Sequence, residues 1–199
     1  MTDLSLRCRC GEVRGVVTDV TPSSCNHALC YCKDCQAFAR FLGREDMLDA
    51  QGGTDIVQVA PSQVRIEQGI DQLRSMRLHD KGMIRWYADC CRSPLGNTMS
   101  MRVPFVGLPT VCFAERPDAS VIGNAVGANA KSATSQPPGD AYQVISVRWA
   151  LRAAAQLFGW WIRGKGKPTP YFEVATGKPI VAPHVLSTED RKRFGANTR

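Results

Sequence analysis

Cys30-Tyr31-Cys32-Lys33-Asp34-Cys35 places three thiols within six residues. Cys8-Arg9-Cys10-Gly11 stands upstream and Cys90-Cys91 downstream. Thiolates spaced this closely are ligands for a tetrahedral metal ion, zinc above all, with Zn–S near ~2.3 Å. The pattern predicts two sites, one closed by four sulfurs and one left open with three.

The compartment decides whether clustered cysteines read as ligands or as disulfides. The first 20 residues carry Asp3, Arg7, Arg9, Glu12 and Arg14 and no apolar signal region, which points to a cytoplasmic protein. Disulfides rarely persist there, so clustered thiols favour metal. Hydrophobic residues make up 44% and charged residues 22%, which excludes wholesale disorder. The net charge of +7 favours anionic partners, from small acids to nucleic acid to membrane surfaces.

Around the cysteines the chain reads as many short strands. Residues 4–9 alternate, and Gly11 permits a turn into a returning strand over 13–20. Residues 30–35 read as a compact loop, followed by a short helix over 34–42 that Gly43 closes. Strands are expected at 56–60 and 63–67, split by Pro61. Residues 73–78 and 83–88 form a hairpin whose second strand runs into Cys90-Cys91. The last strands are expected at 97–103 and 111–114. The reading is therefore a mainly β domain over residues 1–120. Residues 121–199 form a linker, over 123–140, plus a helical C-terminal extension with an irregular tail.

In that extension Val147, Leu151, Ala154, Phe158 and Trp161 recur at three- to four-residue spacing, so a packed amphipathic helix is expected. The apolar run over 144–162 contains Arg148 and Arg152, which argues against a transmembrane segment. Attachment to a membrane surface, aided by Arg163, Lys165 and Lys167, is a lesser alternative. Nucleic-acid binding by the same basic residues with Trp160 and Trp161 is another. Gly159 to Gly166 resembles a phosphate-binding loop but lacks the Ser or Thr after Lys165.

Cys8 and Cys10, two apart on a strand, would face one side. Cys90 and Cys91 are the best further ligands for that closed, structural site. Cys30, Cys32 and Cys35 form the second site. Its fourth position is open to water or a substrate sulfur, or closed by Cys25 or His27 just upstream. A disulfide-exchange role for Cys32-Lys33-Asp34-Cys35 lacks the βαβ context it needs. Cys112 reads as a small core residue, and His79 and His184 as surface residues.

The order CxCG, CxCxxC and Cys91-Arg92-Ser93-Pro94-Leu95, over roughly residues 4–115, resembles the glutathione-dependent formaldehyde-activating enzyme and centromere protein V family. The resemblance implies a β-rich, Mss4-like fold. It implies a structural zinc at Cys8, Cys10 and Cys91 and a catalytic zinc at Cys30, Cys32 and Cys35. It also implies carbon–sulfur lyase chemistry on a thiol adduct, with a small anionic thiol such as glutathione as partner. Two departures stand out. Ala88 occupies the place of a family cysteine, so Cys90 must substitute, and Arg92 replaces a glycine. The rival reading is a non-enzymatic zinc module that binds protein or nucleic acid through its basic C-terminal part.

Overall fold

A computed structural model describes residues 1–137 and 147–196. The end of the expected linker (138–140), the start of the apolar run (144–146) and residues 197–199 lie outside them. The chain is mainly β, with eleven strands in two sheets and four α-helices among the described residues.

β1 (Thr2–Arg7) and β2 (Arg14–Val20) pair antiparallel, and β5 (Val64–Gln68) joins β2 to make a three-stranded sheet. β3 (Asn26–Cys30), β4 (Thr54–Val59), β6 (Leu73–Arg77), β7 (Ile84–Ala88), β8 (Pro94–Thr98) and β9 (Val106–Pro109) form the antiparallel body of the larger sheet. Its order is β10-β3-β4-β9-β8-β7-β6-β11. The two edge strands, β10 (Val126–Ala128) and β11 (His184–Val185), pair in parallel with β3 and β6.

α1 (Lys33–Leu42) begins where Cys32 caps it and ends at Gly43, whose φ of 63° suits a residue without Cβ. α2 (Ala119–Ile122) is a single turn, α3 (Val147–Ile162) is the longest helix, and α4 (Thr188–Phe194) closes the described chain.

β7 is buried along its whole length, so successive side chains enter two different cores. Ile84, Trp86 and Ala88 join Val17, Leu95, Tyr171 and Phe172 on one face. Tyr87 joins Phe38, Leu42 and Met76 under α1 on the other. Polar handles inside these cores are satisfied. Trp86 Nε1 donates to Thr98 Oγ1 at 2.9 Å, and Tyr171 OH to the Leu95 carbonyl at 2.7 Å.

Several expectations need correction. Residues 30–35 are the end of β3 and the start of α1 rather than a loop. The last strands of the sheet's antiparallel body are β8 and β9, at 94–98 and 106–109. Residues 99–103 leave the sheet, and Val111 lies in a 3-10 turn, Thr110–Cys112. Prolines set these limits: Pro104 precedes β9 and Pro109 ends it. The stretch expected as linker carries β10, and the tail expected as irregular carries β11 and α4.

α3 forms as expected, but its apolar stripe does not pack. Trp160 is its buried residue, whereas Val147, Leu151, Phe158 and Trp161 face solvent. Polar groups seat the inward face: Arg152 donates to the Pro22 carbonyl and Gln156 Nε2 to the Ser23 carbonyl at 3.3 Å.

At the β3–β4 pair, His27 Nδ1 meets the Gly123 carbonyl at 2.8 Å and Nε2 meets Asp55 Oδ1 at 2.6 Å. Both partners accept, so only the imidazolium satisfies both ring nitrogens as donors. Burial lowers the His27 pKa, but the bonds to Asp55 and Gly123 outweigh it and hold it above 6.5. Burial likewise raises Asp55, yet His27 and then Arg116 bring its carboxyl below the usual value. The pair is therefore at full strength between those two pKa values. It weakens as pH rises through the raised His27 value or falls through the depressed Asp55 one. Asp55→Asn is expected to cost about 1–3 kcal/mol near pH 6. Urea unfolding should show the deficit narrowing as pH climbs past the His27 transition.

Candidate metal centres

The first cluster joins two turns that are distant in sequence. β1 ends at Arg7, so Cys8 and Cys10 sit in the turn before β2 rather than on a strand face. Cys8 N donates to the Val13 carbonyl at 3.0 Å, Gly11 N to the Cys8 carbonyl at 3.0 Å, and Val13 N to Cys8 Sγ at 3.2 Å. Gly11 takes φ 83°, which lets the chain fold around the sulfurs.

The other half follows β7. Ala88 N donates to the Ser93 carbonyl at 2.8 Å, and Arg92 N to the Ala88 carbonyl at 2.9 Å. This tight bend turns both Cys90 and Cys91 toward Cys8 and Cys10, so adjacent residues share one cluster. Arg92, which stands for the expected glycine, is left-handed at φ 57°. Its side chain holds that conformation in place: it donates to the Phe41 carbonyl at 2.9 Å and stacks 4.6 Å from the Phe41 ring and 4.8 Å from the Tyr87 ring.

The Sγ atoms of Cys8, Cys10, Cys90 and Cys91 all lie within 4.8 Å of one another. Individual separations are 3.5 Å (8–10), 3.3 Å (10–90), 3.9 Å (8–90) and 3.8 Å (90–91). A tetrahedron with ~2.3 Å metal–sulfur bonds has edges of about 3.8 Å, so the donor set fits a four-coordinate ion. Burial works to raise the Cys91 thiol, but hydrogen bonds from Ser93 and the Cys10 backbone bring it to about 6. Ser93 Oγ also accepts from Arg9 N at 2.9 Å and from Arg44 Nη1 at 3.0 Å, tying both turns to Arg44.

The second cluster sits at the start of α1. Cys30 ends β3, Cys32 caps the helix by accepting from Cys35 N, and Cys35 lies in the first turn. Their three Sγ atoms are again within 4.8 Å of one another. Hydrogen bonds from the Cys32 and Cys35 thiols lower the Cys30 pKa to about 2, aided by Asn129 Nδ2, 3.6 Å away. Cys32 and Cys35 are pushed up, first by their bonding to Cys30. The cluster thus holds one negative sulfur readily and resists holding three without a cation.

Neither Cys25 nor His27, the alternative fourth ligands, joins the cluster. The Cys25 thiol donates to the Thr21 and Ile122 carbonyls at 3.1 and 3.5 Å, and both His27 nitrogens are engaged as described. Among the described residues no other His, Cys, Asp or Glu completes the set. Instead the three sulfurs line a cavity of about 340 Å³ with Arg85, Asn129 and Trp149.

Arg85 is 4% exposed. It donates to Asn97 Oδ1 at 3.4 Å and lies 5.2 Å from the Phe38 ring centre. No described carboxylate forms an ion pair with it, and its charge works to lower the thiols of Cys32 and Cys35. Sequence reasoning missed Arg85, Asn129 and Trp149. For Arg85 a signal existed: a lone charge between Ile84 and Trp86 in a strand otherwise built for burial. Of the other residues considered, Cys112 is buried core, His79 Nδ1 lies 3.1 Å from Arg191 Nη1, and His184 is on an edge strand.

Residues 2–183 match the Family of unknown function (DUF6151), and the chain belongs to that family. No curated protein matches the sequence. Among solved structures, a crystal structure of a Rhodobacter sphaeroides protein is similar at 15% identity. The match covers 61% of this chain and 97% of that one, with a TM-score of 0.42.

Mass spectrometry of the native protein is expected to show that Cys10→Ser with Cys90→Ser removes one equivalent of metal. Unfolding stability should fall with it by several kcal/mol, on the order expected of a structural site. Cys32→Ser with Cys35→Ser should remove a different equivalent and leave the first in place.

Proposed function

We propose that this member of the DUF6151 family is a zinc-dependent enzyme of the carbon–sulfur lyase type, acting on the adduct of a small anionic thiol. Its reading as a divergent relative of the glutathione-dependent formaldehyde-activating family, with an Mss4-like β-fold, is part of the same proposal. The observation that carries it is the cavity at Cys30, Cys32 and Cys35: three convergent thiols and, among the described residues, no fourth protein ligand and no carboxylate ion-paired with the buried Arg85.

In this reading Cys8, Cys10, Cys90 and Cys91 hold a structural zinc, and Cys30, Cys32 and Cys35 a second one. Zinc held by these three thiolates would act as a Lewis acid at its vacant position and would favour the deprotonated form of an incoming thiol. The chain's own residues divide the remaining work. Asn129 and the helix N-terminus stabilise negative sulfur at Cys30 and Cys32. Arg85 offers a desolvated guanidinium to an acid group on the thiol. Trp149 walls the cavity from α3 and limits access of water. In the reaction the carbon–sulfur bond of a hydroxyalkyl thioether breaks with its electron pair going to sulfur. The hydroxyl proton departs as the carbonyl forms, and the reverse direction makes the bond.

Cys32→Ser is expected to abolish turnover of a glutathione–aldehyde adduct while the fold and the four-sulfur metal remain. Arg85→Met, close in volume, should raise KM for that adduct about 10–100-fold, the size of a lost charge-assisted bond. Its metal content should be unchanged, and an uncharged thiol adduct should be handled as before. Turnover that survives Cys32→Ser would overturn the role given to the three-sulfur site, and a wild type without turnover would leave the chain as a non-enzymatic zinc module.

A further inference from the structure

α3 turns only part of its apolar surface inward: Trp160 is buried and Trp149 lines the cysteine cavity. Its polar residues Arg152 and Gln156 face the protein, while Leu151 is 66% exposed, Phe158 61%, Trp161 63% and Ile162 62%. Phe158 and Trp161 stack at 6.1 Å, so the exposed surface is one continuous apolar ridge, begun by Val147. Exposing such a ridge to water is unfavourable unless something covers it.

The charge around it indicates what does. Residues 141–172 contain Arg148, Arg152, Arg163, Lys165 and Lys167 and no acidic residue. Past the C-terminal end of α3, a cleft of about 820 Å³ is lined by Trp161, Lys167 and Arg102, which brings two cations beside the tryptophan. A second copy of the chain would bring like charge against like. Nucleic acid would match the cations and the two rings, but gives no reason for Val147, Leu151 and Ile162 to be exposed. An anionic phospholipid surface matches both, with acyl chains for the ridge and phosphates for Arg102 and Lys167 beside Trp161. At 16 residues α3 is about 24 Å long and can lie flat in the interface. No described helix is long and apolar enough to cross a membrane.

We propose that α3 is an interfacial helix that docks the protein on anionic phospholipid membranes through Val147, Leu151, Phe158, Trp161 and Ile162. The proposal stands independently of the chemistry at the cysteine cavity.

Flotation of the full chain with phosphatidylcholine vesicles, with and without phosphatidylglycerol, tests it. Binding is expected only where phosphatidylglycerol is present, with a blue shift of tryptophan emission and a steep fall as salt is added. Phe158→Glu with Trp161→Glu should weaken binding about tenfold or more. Arg102→Gln with Lys167→Gln should weaken it about fivefold per cation removed. These side chains are exposed, so unchanged urea unfolding will show that each variant is folded. The proposal is overturned if the chain ignores both kinds of vesicle. It also fails if Phe158→Glu with Trp161→Glu binds as well as wild type, if that variant instead splits a dimer formed without lipid, or if the ridge binds an oligonucleotide in place of vesicles.

Discussion

A strand buried on both sides must send every second residue into a different environment, and β7 is where this molecule meets that constraint. Trp86 goes to the core shared with the small sheet, while Arg85 and Tyr87 go to the side covered by α1. Five residues thereby fix the two cores relative to each other. The same strand delivers Cys90 and Cys91 at its end and Arg85 into the cavity from its middle. A shift of one residue in its register would exchange Arg85 with Trp86 and bury a guanidinium among Val17, Leu95 and Tyr171. That cost, several kcal/mol for an unpaired buried charge, makes the register strongly specified.

The two cysteine clusters differ in a way that follows from their supports. The four sulfurs near the ends of β1 and β7 come from two turns stiffened by backbone hydrogen bonds and cross-linked through Ser93 and Arg44. Their spacing matches a closed tetrahedron. The three sulfurs at α1 come from one strand end and one helix start. Around them lie the cation of Arg85, the amide of Asn129, the indole of Trp149 and the carboxylate of Asp34, with no fourth ligand among the described residues. Rigid closure suits a staple; a cavity with mixed polar and aromatic walls suits a guest.

Much of this was legible in the residues. Sulfur chemistry grouped Cys8 and Cys10 with Cys90 and Cys91, and Cys30 with Cys32 and Cys35, because few arrangements satisfy so many close thiols. The hairpin of β6 and β7 and the helix closed by Gly43 followed from alternation and capping. Other features were hidden for definable reasons. β10 and β11, at three and two residues, are too short for a period to declare itself. Ser187 and Gly195 do bracket α4 as caps, a signal obscured by the irregular chain before it. Periodicity identified the stripe on α3, but a stripe says only which residues share a face, not whether that face meets the protein. Trp149 and Asn129 reach the cavity through tertiary contacts between segments about a hundred residues apart, which no local pattern encodes.

The parallel strands at the two margins of the larger sheet both follow its antiparallel body in sequence, at 126–128 and 184–185. A nascent polypeptide synthesised only as far as Ile122 therefore holds β3 and β6 with one side of each unpaired, as adhesive borders. The border at β3 can be sealed once residue 128 is available, the one at β6 only after residue 185. Completion of the sheet thus waits for residue 185, long after β9 has been made, and during that interval the growing chain depends on keeping other strands away from β6.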